Sequence, residues 1–257
     1  MKKLLLFLFL PIMFTLQATA RNIPAPLTHE ERVDIVDDSL KLTAWLMRDT
    51  TVKNEPLIIL LHQMGQTHES YQYFIDALAK YVAQDTLHRA MPTIISFDLR
   101  GHGKSTFRRK DTLAAASMAN SEFVKMPGDI KHLLTTLKQD PDLGVDTTNV
   151  IVIGASIGAN TAAMLTEQMS GIRKVALLSP GKSYHGLEPG RAIENYRGKV
   201  LIYCSWDDVY SKESSEFLQN LNKTGSTLER FGGSDHGTEI INGNPKAMHE
   251  LIDWIMH

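Results

Sequence analysis

The chain has 257 residues, 43% of them hydrophobic and 22% charged, with a formal net charge of -2. That apolar fraction and near-balanced charge exclude a disordered chain and leave no basic excess for a nucleic-acid partner. One cysteine excludes an intrachain disulfide framework and any cysteine-rich zinc module.

In chain order, Lys2 and Lys3 precede the apolar run Leu4 to Leu10, Pro11 interrupts it, and the segment ends in Ala18-Thr19-Ala20. A charged start, a short apolar stretch and a small-x-small end read as a secretory signal peptide over residues 1–20. A single domain over 21–257 is expected to follow. The protein is therefore expected to be secreted or periplasmic, with no membrane span once the signal is removed, because no later run is apolar for long enough.

Two extended patterns around Val33–Val36 and Leu42–Trp45 flank Asp37-Asp38-Ser39 and predict an antiparallel hairpin. Leu57 to Leu61 is a continuous apolar run, as in a strand buried on both faces. A helical pattern follows with Tyr73, Phe74, Ile75, Leu78, Ala79 and Val82 on one side, then a strand at Thr93–Phe97 and a polar loop from Asp98 to Ser105. Residues 106–120 show no clear strand character and are expected to form part of a wall over the site. A helix is predicted from about Ser121 to Leu137, broken near Met126-Pro127-Gly128. Further strands are predicted at Val150–Ile153, Val175–Leu178, Val200–Tyr203 and Thr227–Phe231. Helices are predicted after Gly158, near Ser211–Leu221 and at Pro245–Met256. Strands alternating with helices imply an α/β fold with a mostly parallel central sheet covered on both faces.

Gly154-Ala155-Ser156-Ile157-Gly158 fits G-x-S-x-G between a predicted strand and a predicted helix. Such a turn exposes the serine hydroxyl at the sheet edge, beside a helix N-terminus that favours negative charge. A serine needs a base and a group to orient that base. Of ten histidines, only His236 sits in a Gly-rich loop between the last strand and the final helix. The acid belongs after an intervening strand, where Asp207 and Asp208 both qualify. One of them is expected to cap the next helix while the other orients the imidazole.

These residues resemble the α/β-hydrolase family. The segment Leu60-Leu61-His62-Gln63-Met64-Gly65 is similar to the strand end that supplies an oxyanion-hole amide. Asp98-Leu99-Arg100-Gly101-His102-Gly103-Lys104-Ser105 is similar to the family's D-x-R-G-x-G-x-S loop. The resemblance implies a Ser156–Asp208–His236 triad, with Asp208 favoured by the spacing from Ser205. It also implies oxyanion donors at the backbone amides of Met64 and Ile157, and structural roles for His62 and His102. Gln63 departs from the family's His-Gly at this point. The family often inserts a cap where this chain has only Ser179 to Lys199, so a minimal or absent cap and an open site are expected, as in small esterases or dienelactone-hydrolase-like enzymes.

The reading is a serine hydrolase, a carboxylesterase acting on a small-molecule ester. A peptidase or amidase would use the same residues, and a binding protein would keep the fold without turnover. No metal or organic cofactor is expected, since His62 and His68 have no accompanying ligand cluster. No segment of the sequence marks an oligomer interface.

Overall fold

The computed structural model describes residues 29–37, 39–49, 55–87, 89–109, 111–140 and 145–257. The expected signal peptide lies outside the described residues.

Strands β1 (His29–Asp37) and β2 (Leu40–Arg48) form the predicted hairpin, longer at each end than its apolar cores. Next come β3 (Leu57–Leu61), α1 (Gln72–Ala83) and β4 (Thr93–Asp98), and on α1 the expected apolar side is corrected at Tyr73, which faces solvent while Phe74, Ile75, Leu78, Ala79 and Val82 are buried. Residues 106–120 differ from expectation. They contain β5 (Phe107–Arg108) and β6 (Asp111–Thr112), a two-residue ladder attached to β2 at Leu40. Strands this short carry no readable alternation.

The predicted break in the next helix is real: α2 (Asn120–Phe123) stops before α3 (Met126–Gln139), whose first turn holds Pro127. Proline suits that position because its missing N–H would have no helical partner there. Then follow β7 (Val150–Ala155), α4 (Ile157–Leu165), β8 (Ile172–Leu178), α5 (Gly190–Asn195) and β9 (Lys199–Ser205). The chain closes with α6 (Val209–Leu221), β10 (Ser226–Phe231), α7 (Thr238–Gly243) and α8 (Pro245–Met256). Six-residue α5 and α7 escape a periodicity reading because each presents too few apolar positions to show a 3.6-residue repeat.

The strands form one sheet in the order β10-β9-β8-β7-β3-β4-β2, with β1 and the β5–β6 ladder beyond β2. From β10 to β4 every neighbouring pair is parallel. Its two faces build two cores. Ile59, Leu61 and Val152 meet α3, α4 and α6 on one side. Ile58, Leu60 and Ile153 meet α1, α7 and α8 on the other. Alternate residues of one strand thus serve opposite cores, which is why β3 and β7 read as unbroken apolar runs. The chain winds outward from β3 to β4, then crosses back to β7 on the other side of β3. The carboxyl ends of β3 and β7 therefore flank the reversal of strand order, where open α/β sheets leave a crevice for ligands.

Candidate active site

Ser156 stands between β7 and α4 with φ 52° and ψ -114°, a conformation that side chains rarely adopt. Both flanking glycines are needed for close approach. A Cβ on Gly154 would lie 2.2 Å from the Gly158 carbonyl oxygen, and one on Gly158 would lie 2.2 Å from the Leu61 carbonyl oxygen. The Ser156 amide donates to the Leu178 carbonyl at 2.8 Å, and its own carbonyl accepts from Ala159 and Asn160 to start α4. The motif thus works through backbone contact with β3 and β8, in addition to exposing a hydroxyl.

Ser156, His236, Gln63 and Met64 line one cavity of about 240 Å³. His236 Nδ1 donates to Asp208 Oδ2 at 2.6 Å. That bond fixes the tautomer and leaves Nε2 for a second partner. Ser156 and His236 share the cavity without a direct hydrogen bond between them.

Asp208 also accepts from the Ser211 amide through Oδ1 at 3.3 Å and so caps α6. The expected division of labour between two aspartates is therefore corrected. One carboxylate does both jobs, because its two oxygens face different groups, while Asp207 is exposed.

Met64 follows the end of β3 at the cavity, and Ile157 is the first residue of α4, immediately after Ser156. Among the described residues neither amide has a hydrogen-bond acceptor. Two unpaired backbone N–H groups beside a serine can stabilise developing negative charge.

The loop bearing His236 is pinned through its main chain by side chains from four places. Ser205 Oγ donates to the Asp235 carbonyl at 2.6 Å, and Glu239 accepts from the His236 amide at 3.2 Å. Ser179 Oγ accepts from the Gly237 amide at 2.9 Å. Gln63 Oε1 accepts from the Thr238 amide at 2.8 Å and its hydroxyl at 3.0 Å, while Nε2 donates to the His236 carbonyl at 3.4 Å. Sequence reasoning marked Gln63 only as a departure from the family pattern and did not single out Ser179 or Glu239. Nothing local reveals partners 175 residues apart.

The 98–105 loop has the structural role the resemblance implied. His62 is fully buried. Its Nδ1–H donates to the Gln63 carbonyl and its Nε2 accepts from the Leu99 amide. Burial pushes its pKa down to about 3, so it is neutral. Arg100 is buried and forks onto Asp129, with a third bond to Glu122, tying the loop to α2 and α3. His68, stacked on Trp45, pairs with Asp98, whose other oxygen receives the Lys104 amide. Among the described residues no cluster of three His, Cys, Asp or Glu side chains could hold a metal ion. Among them too, no helix is long and apolar enough to cross a membrane. Among the described residues of 106–120 none lines the cavity, and the expected wall is limited to Asn120, which holds His185 from behind at 2.9 Å. The lidding segment after β8 is short and carries only α5.

A strained serine elbow at the carboxyl edge of a doubly wound sheet is the build of an α/β hydrolase. The profile of the alpha/beta hydrolase fold family matches residues 56–195, more than half of the chain, and the chain belongs to that family. Its structure is similar to an esterase from Pyrococcus furiosus (TM-score 0.66, 16% identity, covering 89% of this chain and 92% of that one). A dienelactone hydrolase from Anabaena variabilis gives a TM-score of 0.68 at 14% identity, covering 89% and 97% of the two chains. An esterase from Pyrobaculum calidifontis gives 0.63 at 18% identity, covering 90% and 84%. No curated protein sequence matches the chain.

Proposed function

We propose that this α/β hydrolase is a serine esterase that cleaves small carboxylic esters through an acyl-enzyme. The supporting observation is the 2.6 Å His236–Asp208 pair opening onto the same cavity as the strained Ser156. Ser156 Oγ attacks the ester carbonyl while His236 Nε2 takes its proton, and the oxyanion settles on the Met64 and Ile157 amides. Collapse expels the alcohol, which leaves with that proton. A water then gives a proton to His236 and attacks the acyl group. The acid departs and Ser156 recovers its proton. Asp208 holds the imidazole in orientation and stabilises its cationic form.

At about 240 Å³ the cavity lies below the roughly 300–1,000 Å³ of ordinary small-molecule pockets, which favours short acyl esters. The esterase and dienelactone hydrolase of similar fold agree with this class of chemistry. The charged start, apolar run and Ala18-Thr19-Ala20 ending further support export with removal of residues 1–20. Recovery from a secreting host of a protein that begins at Arg21 tests that part.

Fluorophosphonate labelling and p-nitrophenyl acetate turnover test the mechanism. Both should be lost in Ser156→Ala, and turnover should fall by several orders of magnitude in His236→Ala and Asp208→Asn but not in Asp207→Asn. Labelling that persists in Ser156→Ala would sink the assignment. Comparable turnover of the matched anilide would make the protein an amidase.

A further inference from the structure

A second set of residues around the cavity has no part in the proton relay. Tyr184, on the loop after β8, and Tyr210, in the first turn of α6, both line the cavity with Ser156 and His236. Their exposures are 37% and 52%, although the chain buries most of its large apolar side chains.

The Tyr210 ring and the turn that carries Tyr184 are nonetheless tied down. The Tyr210 hydroxyl donates to the Ser183 carbonyl at 2.6 Å and accepts from the Ser183 amide at 3.2 Å. Its ring lies along Gly181, where a Cβ would come within 3.2 Å of Cε1. Tyr184 opens a tight turn closed by two backbone bonds with Leu187, with His185 and Gly186 both at positive φ. His185 packs edge-on against Tyr184, stacks on Phe123 and donates to Asn120 at 2.9 Å. Buried Asn160, one turn after Ser156, accepts from the Gly181 amide and donates to the Leu187 carbonyl, anchoring the whole wall to the nucleophile helix. Ser156, Ser179 and His185 all hold positive φ around this cavity, and strain of that kind persists only where surrounding contacts enforce it.

Exposed aromatic faces held rigid beside a reactive serine lose little entropy on meeting a ligand. With the Tyr210 hydroxyl already occupied, that residue offers the cavity its ring. We infer that Tyr184 and Tyr210 form an aromatic jaw that selects esters carrying a planar apolar group, aryl or arylmethyl, over saturated groups of equal size. This substrate class rests on the esterase reading. Aromatic pairs contribute beyond their buried area by about two- to tenfold each, because ring edges and faces attract.

The test compares benzyl acetate with cyclohexylmethyl acetate, whose alcohols are close in size and acidity. Wild-type kcat/KM should favour the benzyl ester. Tyr210→Leu and Tyr184→Leu should each lower that ratio about two- to tenfold, whereas Tyr210→Phe, which keeps the ring but loses the Ser183 ties, should fall between wild type and Tyr210→Leu. A purely structural role would slow both esters equally, and an unchanged ratio in both leucine variants overturns the jaw. Titrating benzyl alcohol and cyclohexylmethanol into Ser156→Ala, followed by the tyrosine ring signals, repeats the comparison without chemistry. Tighter binding of benzyl alcohol supports the jaw even if neither ester is turned over, an outcome that would sink only the esterase reading. Equal binding overturns the jaw even if both esters are hydrolysed.

Discussion

Replacing Gln63 by leucine isolates the clamp on the His236 loop, because the two side chains are close in volume and the site is only 7% exposed. The substitution removes the acceptor of the Thr238 amide and hydroxyl and the donor to the His236 carbonyl. Thr238 is 3% exposed, so its amide would be left buried without a partner, at a cost of about 1–3 kcal/mol. The hydroxyl can rotate toward another acceptor and adds about 1 kcal/mol, the net worth of an ordinary bond. Together the expected loss is about 2–4 kcal/mol, large against a typical stability of about 5–15 kcal/mol but not enough to prevent folding. The His236 ring should also drift, and misplacing a catalytic group by about 1 Å costs about a hundredfold. Urea denaturation should therefore show a lower midpoint with an unchanged slope. Steady-state kinetics should show kcat falling about 10- to 100-fold with little change in KM. Thr238→Val should cost about 1 kcal/mol, and the double variant less than the sum, because one bond is removed twice. A Gln63→Leu protein with wild-type midpoint and kcat would refute the clamp.

Gly237 has φ 62°, and an added Cβ would fall 2.2 Å from Gln63 Oε1, so Gly237→Ala should lose most ester turnover while circular dichroism shows a folded protein. Arg100→Met should lower stability by about 3–5 kcal/mol by removing the buried fork onto Asp129 and the bond to Glu122, whereas removing the exposed Arg191–Glu167 pair should leave the urea midpoint unchanged. With His62 held near pKa 3 when folded and near 6.5 when unfolded, the unfolded chain binds the extra proton between those values. The contribution is fully present above about pH 6.5 and falls by about 1.4 kcal/mol per pH unit below it. A His62→Gln variant should show a correspondingly shallower acid dependence in urea titrations at pH 7 and pH 5. Cys204 is buried and its thiol is pushed up by burial, so thiol reagents should label it only after unfolding.

What the sequence made legible is what local chemistry dictates. Strands buried on both faces show themselves as continuous apolar runs, and the G-x-S-x-G turn needs its glycines wherever it occurs. His236 stands out because its Gly-rich loop follows the last strand. Asp208 is different in kind. Two adjacent aspartates after one strand look alike in sequence. Only the fold shows that one carboxylate can receive a helix amide on one oxygen and an imidazole on the other. Gln63 and Asn160 lie further beyond local reading, since their partners come from segments distant in the chain and become neighbours only when the sheet is wound.

The shortness of the segment after β8 points from sequence to an open site without a cap, and the structure gives that openness a definite shape. A cap would supply its own side chains to the substrate. Here the wall is borrowed: Tyr210 comes from α6, the turn at Tyr184 is held by Phe123 and Asn120 of α2, and Asn160 fastens the loop from beneath. Because all of these ties but the His185–Asn120 bond end on backbone or on a buried ring, the wall can be thin and still held in place. Under the proposed aromatic jaw, substrate choice is set by a few exposed rings rather than by an enclosing tunnel. It follows that changes at Tyr184 or Tyr210 should alter which ester is preferred, while changes at Asn160 should loosen the wall and slow every ester alike.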